Sequence, residues 1–109
     1  MNDENLDAPD MQKQIKQTVT DNSIVLFMKG NVNFPQCGFS GRAIQILQSL
    51  DAEFVTVDVL SNEQVRAGVK SYSNWPTIPQ LYVNGEFIGG SDIMTEMYES
   101  GELAEALRA

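Results

Sequence analysis

At 109 residues, 42% of them hydrophobic, the chain is long enough to bury one small core and too short for a second independent domain. Fifteen acidic against seven basic residues give a formal charge of −8, which repels phosphate backbones and argues against nucleic-acid binding. Histidine is absent, which removes the usual general base, the commonest metal ligand and every Cys–His or Ser–His–Asp arrangement. Any metal must therefore be held by sulfur, by oxygen or by a group from outside. The single cysteine, Cys37, cannot form an intramolecular disulfide, so a reducing compartment is expected. No apolar run approaches the roughly 20 residues that span a bilayer, and "MNDENLDAPD" has neither the basic flank of a secretory signal nor the arginines of a transit peptide. A cytoplasmic protein is expected, with a mature organellar form as the alternative.

In chain order, residues 1–9 read as a flexible polar terminus and residues 10–109 as one domain. With Asp10 as its cap, Met11, Ile15, Thr18 and Val19 recur at helical spacing to about Asp21. "SIVLFMKG" is a short continuous apolar run stopped by Gly30, which predicts a buried strand. A loop then delivers Cys37, and from Phe39 the residues Ala43, Ile46, Leu47 and Leu50 predict a second helix. "EFVTVDVL" predicts a second strand. Ser61 with Gln64 fits a capping box for a third helix carrying Val65, Val69 and Tyr72. Asn84-Gly85 between two apolar stretches is a strong signal for a tight hairpin. Asp92 caps a final helical region with Ile93, Met94, Met97 and Tyr98, interrupted at Gly101 before Leu103 and Leu107. The order α-β-α-β-α-β-β-α predicts an α/β fold with a four-stranded mixed sheet flanked by helices on both faces.

Three stretches carry candidate chemistry. Cys37 is either a small buried hydrophobe or a reactive thiolate. Its place after Pro35 and before a helix start favours thiolate, because free N–H groups, the helix dipole and the charge of Lys29 all act in that direction. Gly38 and Gly41 permit close approach by a ligand. Ser40 stands three residues on, where a dithiol redox motif would have its second cysteine. In "NWPTIPQLYV", Pro79 precedes a strand; its peptide bond is trans in an ordinary loop, or cis, turning Thr77 and Ile78 toward an extended peptide. "GGSD", Gly89 to Asp92, is an ordinary helix cap or a carboxylate site at a helix N-terminus. Lys29 and Arg66 are surface charges by default.

From Met11 to Leu107 the chain resembles the monothiol glutaredoxins of the Cys-Gly-Phe-Ser type, within the thioredoxin-like fold, through "FMKG", "PQCGFS", "WPTIPQLYVNGEFIGGSD" and "EMYESGEL" in family order. The resemblance implies that glutathione binds beside Cys37. Lys29 would lie near the thiolates and the glycyl carboxylate, and Arg66 would pair with that carboxylate. Thr77 and Ile78 would hold the cysteinyl unit, with Pro79 cis. Gly90, Ser91 and Asp92 would receive the γ-glutamyl end. It further implies a [2Fe-2S] cluster in a glutathione-bridged homodimer. Four thiolates are needed, one chain offers one, and two protomers with two glutathiones complete the set. Iron–sulfur acceptor proteins and a BolA-like protein are implied partners. Many relatives have cysteine where this chain has Ser91, so a redox role for that thiol is absent here. The resemblance is to the single-domain type, so no preceding thioredoxin-like domain is expected. The rival expectation is an enzyme, a glutathione-dependent thiol–disulfide oxidoreductase with Cys37 as nucleophile.

Overall fold

The computed structural model describes residues 8–108. The flexible terminus expected over residues 1–9 thus lies mostly outside the described residues. Helix α1 (Ala8–Asp21) begins two residues before the expected Asp10 cap. Asp10 instead sits in the first turn, where a carboxylate meets the positive end of the helix dipole.

Four strands follow the expected pattern: β1 (Ile24–Met28), β2 (Val55–Asp58), β3 (Gln80–Val83) and β4 (Glu86–Gly89). They form one mixed sheet in the order β2-β1-β3-β4, with β1 parallel to β2 and antiparallel to β3, and β4 antiparallel to β3. Side chains alternate across the sheet. Ile24, Leu26, Met28, Leu81 and Val83 pack on one face against Ala43, Ile44, Ile46 and Leu47 of α2 (Gly38–Ser49). Val25, Phe27 and Tyr82 pack on the other against Met11, Ile15 and Val19 of α1 and Val69 of α3 (Glu63–Ser73). This explains why β1 is a continuous apolar run: it is buried on both faces. The Asn84-Gly85 hairpin is present, with φ of 51° and 84°, the two left-handed residues of a type I′ turn.

Two further expected caps are corrected. Asn62, not Ser61, caps α3, its Oδ1 accepting from the N–H groups of Gln64 (2.8 Å) and Val65 (3.3 Å). Ser61 is taken up by the turn after β2, where its hydroxyl donates to the carbonyl of Asp58 at 2.8 Å. Gly90, not Asp92, is the N-cap of α4 (Ser91–Ser100), and Asp92 lies in its first turn. The expected final helix resolves into α4 and α5 (Glu102–Arg108), because Gly101 adopts φ of 87° and ends α4. Met94 and Leu103 carry the two helices onto the α2 face of the core.

Helices α1 and α3 touch through Gly68, whose carbonyl accepts from Gln12 Nε2 at 2.9 Å. A Cβ on Gly68 would lie 2.5 Å from Met11 Cγ and 3.1 Å from Ile15 Cδ1. Gly68→Val is therefore expected to lower stability by about 2 kcal/mol, because overpacking outweighs the small gain in helix propensity. Urea denaturation checks this, and an unchanged midpoint would show that the crossing relaxes freely.

Candidate functional site

The chain leaves β1 at Lys29 and returns at once. Gly30 takes φ of 90°, the Asn31 side chain accepts from the N–H groups of Asn33 and Phe34, both at 3.0 Å, and Gln36 N–H donates to Lys29 O at 2.8 Å. Asp58 Oδ1, at the end of β2, accepts from Gly30 N–H at 3.0 Å and pins the start of the loop to the sheet. The loop so closed places Cys37, in extended conformation, at the N-cap of α2.

There the thiol is half-buried and meets the first turn of the helix. The N–H of Ser40 does most to draw its pKa below the ordinary thiol value; burial opposes this, and the N–H of Phe39, the charge of Lys29 and the Ser40 hydroxyl assist. Ser40 itself is fully buried, and its hydroxyl accepts from Lys29 N–H at 3.1 Å. The residue at the second-cysteine position therefore ties β1 to α2, beneath the thiol.

Cys37 opens onto a cleft of about 470 Å³. Lys29 and Phe39 flank the thiol, the segment Trp75–Pro79 lines the cleft, and the start of α4, from Gly90 to Ile93, completes it. The Ile78-Pro79 bond is cis. Gly90 permits this approach of α4, since a Cβ there would lie 3.1 Å from Pro79 O. Eight expected site residues, Lys29, Cys37, Thr77, Ile78, Pro79, Gly90, Ser91 and Asp92, thus share one cavity. Arg66 is not among its lining residues; its guanidinium lies 3.9 Å from Glu63. Lys70, one turn further along α3, is in the lining instead.

Lys70, Phe39 and Trp75 were not singled out from sequence as site residues. The four-residue spacing of Arg66 and Lys70 was the available signal for the lysine, since both belong to one helical face. For Phe39 and Trp75 the signal is exposure, which only the structure supplies. The cleft combines two cations, a helix N-terminus, an apolar middle and one thiol. Such a set can hold an anionic peptide with a carboxylate at each end beside a thiolate. Among the described residues no group of three or more His, Cys, Asp or Glu side chains could hold a metal, so a metal centre at Cys37 would draw its other ligands from outside. No described helix is long and apolar enough to cross a membrane.

A sequence profile described as Glutaredoxin matches residues 24–88, which run from the start of β1 into β4 and include the whole Cys37 loop. The chain is 57% identical over 99 residues to an uncharacterized monothiol glutaredoxin, ycf64-like, of Synechocystis sp., covering 91% of this chain and 92% of that protein. It is 56% identical over 100 residues to the chloroplastic monothiol glutaredoxin-S7 of Oryza sativa, covering 92% of this chain but only 60% of that longer protein. The solution structure of reduced poplar apo GrxS14 superposes with a TM-score of 0.81 at 53% identity, over 92% of each chain. With its one thiol at the mouth of the shared fold's cleft, the chain belongs to the glutaredoxin family, among its monothiol members.

Proposed function

We propose that the cleft binds glutathione and that Cys37, with the glutathione thiol, ligates a [2Fe-2S] cluster shared by two copies of this chain, for iron–sulfur assembly, storage or transfer. The observation that carries this reading is an accessible cysteine with a depressed pKa beside a cleft that has cations along it and a helix N-terminus bordering it. Lys29 and Lys70 attract the glycyl carboxylate, and Arg66 reaches it from one turn up α3. Thr77 and Ile78, before cis Pro79, pair with the cysteinyl backbone. Gly90 and Ser91 offer N–H groups to the γ-glutamyl carboxylate, and Asp92 takes its ammonium.

The cluster supplies iron and sulfide held by four thiolates, of which each chain contributes one. Cys37 fits that role because it is thiolate-prone and partly exposed, and Lys29 offsets the negative charge gathered around it. Glutathione is not covalently tied to the chain, which suits release of the cargo to an acceptor protein. A BolA-like protein could replace one protomer, and a reducing compartment such as the cytoplasm keeps the thiol competent. Anaerobic reconstitution with iron, sulfide and glutathione tests the reading: visible cluster absorption and dimer-sized elution are expected. A colourless monomer overturns it.

The depressed thiol pKa also favours a second reading, as an oxidoreductase. The Cys37 thiolate attacks the glutathionyl sulfur of a mixed disulfide and expels the substrate thiolate. A second glutathione thiolate then attacks the Cys37-bound glutathionyl sulfur, giving glutathione disulfide and free Cys37. Rapid turnover of a glutathionylated peptide, with glutathione disulfide formation coupled to NADPH oxidation, would favour this activity over the carrier role.

A further inference from the structure

The segment that lines the cleft, Trp75–Pro79, has no regular secondary structure of its own, yet it must hold its peptide groups still to pair with a ligand. Its support comes from behind. Gln80, the first residue of β3, is fully buried, which is unusual for an amide side chain unless every polar atom has a partner. Its Nε2 donates to the carbonyl of Trp75 and to the carbonyl of Thr77, both at 3.1 Å. Its Oε1 accepts from the Tyr82 hydroxyl at 3.2 Å. The amide orientation follows from this chemistry, because two carbonyls require the donor end and the phenol supplies a proton to the acceptor end.

Tyr82 is itself closely packed. It is buried, with its ring edge-on to Phe27 at 5.6 Å and tilted against Phe87 at 5.4 Å and Tyr72 at 5.9 Å. The side chain of Ile78 is buried in the same cluster, on the α1/α3 face. Ser73, at the end of α3, accepts from Trp75 N–H at 3.1 Å and fixes where the segment starts. The chain therefore runs from a rigid aromatic core through one amide to two carbonyls of the cleft wall. With the Thr77 carbonyl occupied from behind, the Ile78 peptide groups remain for the ligand.

We propose that Gln80 is a positioning residue for glutathione: through Trp75 O and Thr77 O it sets the backbone of the segment that pairs with the tripeptide. This rests on the glutathione reading above. Gln80→Met keeps the length and removes all three bonds. Gln80→Glu keeps an acceptor for Tyr82 but, held neutral by burial, offers one O–H donor where two carbonyls each need one. Leu103→Val, in the core on the opposite face, is a stability control outside this network.

Glutathione affinity is measured by amide chemical-shift titration of the reduced full chain, with the backbone 15N order parameters of Thr77 and Ile78 read on the same samples before glutathione is added. Gln80→Met is expected to bind glutathione at least fivefold more weakly and to lower the backbone order parameters at residues 77–78 from the rigid range of about 0.85 to below about 0.6, with Gln80→Glu falling between Gln80→Met and the parent. Leu103→Val, even where its melting temperature falls as far, is expected to bind within twofold of the parent. Affinity within twofold in Gln80→Met, or the same loss in Leu103→Val, overturns the proposal. If the parent chain itself does not titrate with glutathione, the functional reading fails. In that case unchanged order parameters at residues 77–78 in Gln80→Met also overturn the fixing role, whereas lowered ones uphold it.

Discussion

Cys37→Ser is expected to abolish both cluster binding and alkylation by iodoacetamide while leaving the fold intact. The thiol is partly exposed and belongs to neither core cluster, so the exchange removes no buried apolar contact. Stability should stay within about 0.5 kcal/mol, the range for surface changes. A serine hydroxyl does not ionise near neutral pH, so it loses the charge-assisted part of the contacts that the Ser40 and Phe39 N–H groups make with the thiolate, while as a neutral N-cap it still accepts from one of them.

The same contacts fix the sign of a pH dependence. Since the folded thiol has the lower pKa, its contribution to stability is present above the unfolded thiol's pKa and is lost as pH falls through the folded value. Chemical melts of the parent and Cys37→Ser should therefore diverge in alkali, in favour of the parent, and converge in acid. The alkylation rate of the parent should rise at a lower pH than that of a free cysteine peptide. A midpoint at or above the peptide's would contradict the thiolate assignment. A serine variant that still holds a cluster after reconstitution would remove Cys37 as its ligand.

Gly30→Ala is expected to lower stability by about 2–4 kcal/mol and to disrupt the Cys37 site as well. Two costs combine. The residue stands at φ of 90°, a strained conformation for any side chain, and its Cβ would lie 2.5 Å from Phe34 O and 2.7 Å from Gln36 N. Those are backbone atoms of the loop, so relief requires opening the turn. Opening it releases the Gln36 to Lys29 bond and moves the start of α2. Gly38→Ala is the contrast: a Cβ there meets nothing within 4 Å, and its stability should stay within about 1 kcal/mol of the parent. Urea melts measure both, and iodoacetamide kinetics report the thiol. Equal stability of the two variants would show that the loop adapts without cost.

Much of this architecture was legible one segment at a time. The run from Ile24 to Met28 read as a short buried strand and Asn84-Gly85 as a tight turn, because local backbone preferences favour both. The placement of Cys37 before a helix followed in the same way. Errors arose where neighbours compete for one local role. Ser61 and Asn62 can each cap a helix, and the turn after β2 captured the serine. Gly90 and Asp92 stand two residues apart, and the close packing of α4 on Pro79 O gave the cap to the glycine.

By itself the sequence determined the element types, the hairpin, the single thiol at a helix start and, through its motifs, membership of the family. These depend on conformational preferences and spacings within a few residues. The tertiary structure alone decided that Lys70 rather than Arg66 lines the cleft, that Ser40 lies buried beneath the thiol, and that Gln80 braces the segment Trp75–Pro79. Each of these depends on strand order and helix crossing, which bring residues distant in sequence to one void. No local preference encodes which side chain then faces it.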